Sequence, residues 1–212
     1  MFKLKRIQKN NGMTYVELIV VLAIFAILST VVMFDYVGFQ DRVDLKNLAS
    51  DIALQVVVAQ KAADSGLLPS LSQPQPSVSP WKPAYGVFFN YKTTVDSNNN
   101  NVPHNKEFIY FIDTNNDDSY QSATETLNTF TITKGDYINK VVECTNSNCS
   151  TSSPVPNSFV AITFTRPNSG PTFNSGGTLL PSSVLFIRVN IQSPKNNTAT
   201  IDIYPSGRIQ VN

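Results

Sequence analysis

Glu17 is the residue whose type least suits its surroundings. It stands near the start of an apolar stretch, residues 13–34, that is otherwise free of charge. A carboxylate within a membrane segment costs roughly 3 kcal/mol or more unless it is paired, so an acid there is by default a functional hypothesis. A second group of chemistry-bearing residues is the run Asp113-Thr-Asn115-Asn-Asp117-Asp118-Ser-Tyr-Gln121, followed by Glu125. Asp113, Asn115, Asp117 and Glu125 offer side-chain oxygens at spacings by which a short loop wraps calcium, an ion that takes about six to eight oxygen ligands. The match is partial: Asp118 stands where a calcium loop turns on Gly, and the twelfth position is Thr124, one before Glu125. The same residues also make an Asx-rich turn leaving a strand, since Asn and Asp side chains bond their own backbone. Both readings stay open, and calcium is the only cofactor the sequence raises.

Cys144 and Cys149 form a C-x4-C pair without histidine partners, which is weak as a metal site. They read either as a disulfide closing a short loop or as two free thiols. The only histidine, His104, lies among Val, Pro and Asn and reads as a solvated loop residue. The run 169–178 contains Gly but lacks the Gly-Lys-Ser/Thr of a phosphate cradle, and reads as a flexible hairpin loop. With no nucleophile–base arrangement in view, the chain is not expected to be an enzyme.

These residues need elements to hold them. Residues 13–34 number 22, where a bilayer core needs about 20 in a helix. Lys3, Lys5, Arg6 and Lys9 precede them, with no acid among residues 1–12. The positive-inside rule then places 1–12 in the cytoplasm and everything past Phe34 outside. No A-x-A site follows the apolar run, and the run is long for a cleaved secretory signal. Beyond Asp35 the pattern becomes amphipathic, with Leu45, Leu48, Ala49, Ile52, Ala53, Val56, Val57 and Ala63 at helical spacing. Residues 35–65 therefore continue the helix to a stop at Gly66, with Pro69 just beyond. Residues 66–83, holding Pro69, Pro74, Pro76, Pro80 and Pro83, read as an extended spacer with Trp81 docking back.

From residue 84 to 212, β signals dominate. Strands are expected at 84–91, 107–112, 129–133, 138–143, 158–165 and 184–192, with a terminal hairpin of 200–204 and 208–211. An Asn-rich loop around 97–101 separates the first two. Val160, Ile162 and Phe164, and likewise Leu185, Ile187, Val189 and Ile191, alternate at period two. The fold class is α+β: one long N-terminal helix, its first half transmembrane, packed on a mostly antiparallel sheet. The formal charge is +1, and loss of the four leader cations makes it −3. With no Lys/Arg cluster after the leader, no nucleic-acid partner is expected.

The basic leader, Gly12, the apolar Met13, Glu17 at the fifth position after Gly12 and the apolar run together resemble the class III signal of type IV pilins and of type II secretion pseudopilins. Met13 stands where Phe is usual. Tyr85-Gly86-Val87-Phe88-Phe89, Phe108-Ile-Tyr-Phe-Ile-Asp113-Thr-Asn115-Asn-Asp117 and Ile203-Tyr-Pro-Ser-Gly207-Arg-Ile209 resemble, in order, segments of the GspH/FimT group of minor pseudopilins. The resemblance implies a pilin-like fold, cleavage after Gly12 by a prepilin peptidase, N-methylation of Met13 and pairing of Glu17 with a neighbouring subunit's Met13 amine. It implies a minor, tip or assembly-initiating subunit of a type IV pilus or type II secretion pseudopilus. Its expected partners are other pilin subunits, the peptidase, an inner-membrane assembly platform and membrane lipid before assembly. The chain would be a single-pass inner-membrane protein, later part of the filament. A major pilin and a membrane-anchored extracellular binding domain that enters no filament are the alternatives.

Overall fold

The computed structural model describes residues 12–94, 103–168 and 170–212, without the side chains of Val31, Phe34, Asp35, Val37, Ser122 and Ala123. The basic leader and the Asn-rich loop near residue 97 lie outside the described residues. Helix α1 spans Tyr15–Asp64. It contributes to two compact units, one reaching to Gln40 and one comprising Asp41–Asn212.

In the first unit the helix is apolar on every side. Leu18, Ile19, Val20, Val21, Leu22, Ile24, Phe25, Ile27, Leu28, Val32 and Met33 are each 45–73% exposed. Among the described residues no helix is long and apolar enough to cross a membrane.

The second unit is α+β. Here α1 turns amphipathic, burying Leu45, Ala49, Ile52, Val56, Ala59, Ala62 and Ala63 in steps of three and four. The helix ends in a Schellman arrangement. Leu67 N–H reaches the Ala62 carbonyl at 3.0 Å and Gly66 N–H that of Ala63 at 2.9 Å, with Gly66 at φ +67°. Asp41 and Asp44, at the start of this part of the helix, are tied down. Asp41 accepts from Ser193 Oγ at 2.8 Å and from Asn197, and these bonds hold its carboxyl below the usual range. Lys134 Nζ lies 2.7 Å from Asp44 Oδ1.

Eleven strands form two antiparallel sheets among the described residues. The first contains β1 (Ala84–Asn90), β2 (Glu107–Ile112), β3 (Thr126–Thr131), β6 (Phe159–Thr165), β7 (Pro171–Ser175) and β8 (Thr178–Leu179), in the order β3-β2-β1-β6-β7-β8. The second contains β4 (Tyr137–Cys144), β5 (Ser152–Pro154), β9 (Phe186–Gln192), β10 (Thr198–Ile203) and β11 (Ile209–Val211), in the order β11-β10-β9-β4-β5. Val87, Phe89, Ile162 and Phe164 from the first sheet and Ile187, Val189, Ile191 and Ile201 from the second share one core with the buried stripe of α1.

Several expectations need correction. The run 169–178 is not a loose loop. Phe173, Asn174 and Ser175 are buried, and β7 and β8 pair across Gly176-Gly177 in the register Ser175↔Thr178. Leu185 does not join the alternating face of β9; it is exposed ahead of the strand, and Phe186 turns inward against Val142 and Cys144. In the segment 66–83, Trp81 docks back on the domain, as the sequence leads one to expect.

Candidate functional site

Two places concentrate the chemistry. At the start of α1, Thr14 caps the helix: its Oγ1 accepts the Glu17 N–H at 3.3 Å and its carbonyl accepts the Leu18 N–H at 3.1 Å. Thr14-x-x-Glu17 has the spacing of a capping box. An acid in the first turn also lies favourably in the field of the helix N-terminus. Glu17 therefore has a local role, starting the helix, that the capping spacing carried and the sequence reading passed over. Gly12, Met13 and Glu17 are all exposed.

The second place is loop 113–125, which leaves β2 and returns through the short helix α2 (Ser122–Glu125) to β3. Asp113 and Glu125 are fully buried. Asp113 Oδ2 accepts the Asp118 N–H at 2.8 Å, and its Oδ1 accepts those of Asn115 and Asp117, each at 3.3 Å. Glu125 Oε1 accepts from Thr114 N–H at 2.9 Å and Thr114 Oγ1 at 3.0 Å, and Oε2 accepts the Gln121 N–H at 2.8 Å. Asp117 accepts from Ser119 N–H, Asn115 Nδ2 and Gln121 Nε2. Asn116 and Asp118 take left-handed backbone angles, φ +57° and +58°, which Asn and Asp tolerate better than most residues. Asp118 thus makes the turn for which a calcium loop uses Gly.

The carboxylates of Asp113, Asp117 and Glu125 accept from amides and a hydroxyl of the loop itself. Among the described residues no group of three His, Cys, Asp or Glu side chains is placed to hold a metal. As they stand, Asp113, Asn115, Asp117 and Glu125 make the hydrogen bonds of an Asx-rich turn.

What the loop does hold is the segment before β1. Trp81 Nε1–H donates to the Asp113 carbonyl at 2.8 Å. The Thr114 carbonyl accepts the Ser77 N–H at 2.8 Å. Asn116 pairs with the Lys82 backbone in both directions, at 2.9 and 2.8 Å. The loop also covers the first sheet. The ring of Tyr120 lies 4.5 Å from that of Phe88 and 5.3 Å from that of Phe111, and Thr165 Oγ1 donates to Asp118 Oδ1 at 3.3 Å. Burial drives the Asp113 carboxyl up to about 6, with Glu125 and Asp117 adding like charge against the amide bonds from Asp118 and Asp117. Glu125 is raised for the same first cause, burial.

Cys144, at the end of β4, and Cys149 form a disulfide with their Cα atoms 4.8 Å apart. Phe186 and Val142 pack beside it. His104 is not freely solvated: its side chain is 22% exposed, and Nδ1 lies 3.6 Å from Glu107 Oε1. The residues missed by sequence reasoning are Thr114, Gln121 and Lys82, whose contribution is mostly backbone and leaves no side-chain signature. Comparison with known proteins found no matching family model, no matching curated protein and no matching solved structure.

Proposed function

We propose that this chain is a pilin-like assembly subunit of a type IV pilus or type II secretion pseudopilus, in a minor, tip or initiating position. One observation carries this reading. The helix of the first unit exposes apolar side chains all round, while the second unit closes a complete core of its own. Apolar area is stabilised by about 25 cal/mol per Å² when removed from water, so such a helix requires an apolar partner surface. A bilayer before assembly and neighbouring helices within a filament both supply one. The sequence runs for 17 residues from Leu18 to Phe34 without a charge.

In this reading, cleavage after Gly12 exposes the amine of Met13, which is then methylated. That ammonium lies just before the helix start, where the helix field is unfavourable to cations. A carboxylate in the first turn offsets it. In apolar surroundings Glu17 and the Met13 amine of a neighbour attract strongly, while either one unpaired is heavily penalised. The pair fixes the register of one subunit against the next. The three segments resembling GspH/FimT proteins favour the minor position. The C-terminal unit forms the outer surface, and its work is assembly rather than catalysis.

The test is the substitution Glu17→Gln in a strain that assembles the filament. The variant is expected to be processed and to remain in the membrane fraction, but its recovery in sheared filaments should fall at least about tenfold, the factor that 1.4 kcal/mol represents. Wild-type recovery would refute the register role.

A further inference from the structure

Asp136 carries a buried carboxylate with nothing bonded to it. The residue is 4% exposed, and its N–H donates to the Thr133 carbonyl at 3.3 Å. Its side chain accepts no hydrogen bond and makes no close ion pair among the described residues. A buried acid in that position is penalised unless something pairs it. Asp136 lines a cleft of about 200 Å³ between α1 and the turn from β3 to β4. We propose that this cleft binds an alkylammonium group, the cationic end of a free amine or of a lysine side chain, with Asp136 as its principal anion.

The walls follow from the local sequence. Asp44, Leu48 and Asp51 are spaced by four and three residues on α1, so they share one face, next to the buried stripe of Leu45, Ala49 and Ile52. Opposite them, Lys134 and Gly135 take left-handed backbone angles, φ +61° and +86°, and this tight turn carries Asp136 into the cleft. The remaining wall is apolar. The rings of Phe108 and Phe130 stack with centroids 5.0 Å apart, and Ile132 lies beside them.

Charge sets the sign of the ligand. Asp44, Asp51 and Asp136 line the cleft against one cation, Lys134, whose Nζ lies 2.7 Å from Asp44 Oδ1. Asp51 is exposed and has no bonded side-chain partner among the described residues. Burial, with Asp41 and Asp44 adding like charge, pushes the Asp136 carboxyl up, and Lys134 opposes them. A bare metal ion fits poorly. Calcium takes about six to eight oxygens on one centre, whereas among the described residues no three carboxylates converge to hold an ion. A charge carried on a carbon chain uses both kinds of wall, the acids for its ammonium and the rings for its methylenes. The volume is below the roughly 300–1,000 Å³ of clefts that take drug-sized ligands, and suits a chain of a few carbons. None of these residues lies in the first unit, so the site stands or falls separately from the assembly reading.

The experiment titrates butylammonium chloride into the full chain in zwitterionic detergent micelles and follows the heat of binding, with micelles alone as the blank. Saturable binding is expected at up to about 10 mM. Asp136→Asn should weaken it at least about tenfold, the order lost when an ammonium loses a charged partner. Asp51→Asn, at an exposed position where folding is not at stake, should weaken it by less. Lys134→Gln removes the resident ammonium and should tighten it. Nα-acetyl-lysine methylamide separates the two sources: binding like that of butylammonium points to a lysine side chain, and binding of butylammonium alone to a free amine. The uncharged chain of n-butanol, and calcium chloride, should give no saturable heat. Absence of saturable butylammonium binding would overturn the proposal. So would equal binding of n-butanol, an affinity unmoved by Asp136→Asn and by Asp51→Asn, or calcium that competes with the amine.

Discussion

The two stretches of α1 share one backbone conformation and differ in what their side chains meet. Between Asp41 and Asp64 one stripe is apolar and buried, from Leu45 to Ala63, while Leu54 and Val58 remain on the open side. Between Leu18 and Met33 apolar residues occupy every side and all the described ones are exposed. A one-sided stripe is satisfied by the sheets of its own chain; an all-round apolar surface is satisfied only by something outside it. Helix formation thus says little about role, and the angular distribution of apolar residues says most.

That contrast is broken or sharpened by substitution. The largest effect is expected from Ile52→Asp, which places a charge in the core beneath α1 and should cost about 4 kcal/mol or more. Two residues away, Leu54→Asp on the open side should change stability by no more than about 0.5 kcal/mol. Ile24→Asp in the first unit should leave the melt of the second unit unaltered yet lower recovery in membranes. Thermal unfolding by circular dichroism reads the first two, and a melt shared by all three variants would break the contrast. A smaller effect is expected from Gly86→Ala. A Cβ there would lie 2.6 Å from the Ile162 carbonyl oxygen and 2.6 Å from the ring of Phe111. Overpacking of this kind costs about 1–3 kcal/mol. A melt within experimental scatter of wild type would show that Phe111 is free to move aside.

Much of this was legible in the sequence, for identifiable reasons. The helical stripe of the second unit follows from period 3.6. The Schellman stop follows from Gly66. Strands β1, β2 and β6 follow from dense aromatic and β-branched residues. β7 was not legible, because Pro171-Thr-Phe-Asn-Ser175 is mostly polar and becomes strand only through pairing with β6. β5 and β8 are too short, at three and two residues, to carry a period. Ala161 and Thr163 are buried on the face opposite Val160 and Ile162. No alternation announces this, since the covering layer is loop 113–125, distant in sequence. The acidic loop itself was visible as a cluster, but its oxygens had two possible uses. Spacing alone does not say whether a carboxylate turns outward to an ion or inward to an amide. The disulfide was one of two readings, separated only by the placement of Cys149 beside the end of β4.

The central claim is that the apolar helix is an assembly element released by processing at Gly12. Intact mass and N-terminal peptide mass spectrometry of the membrane-extracted protein test it most directly. The account predicts a mature chain beginning at N-methylated Met13. A chain that keeps residues 1–12, or begins elsewhere, would contradict it.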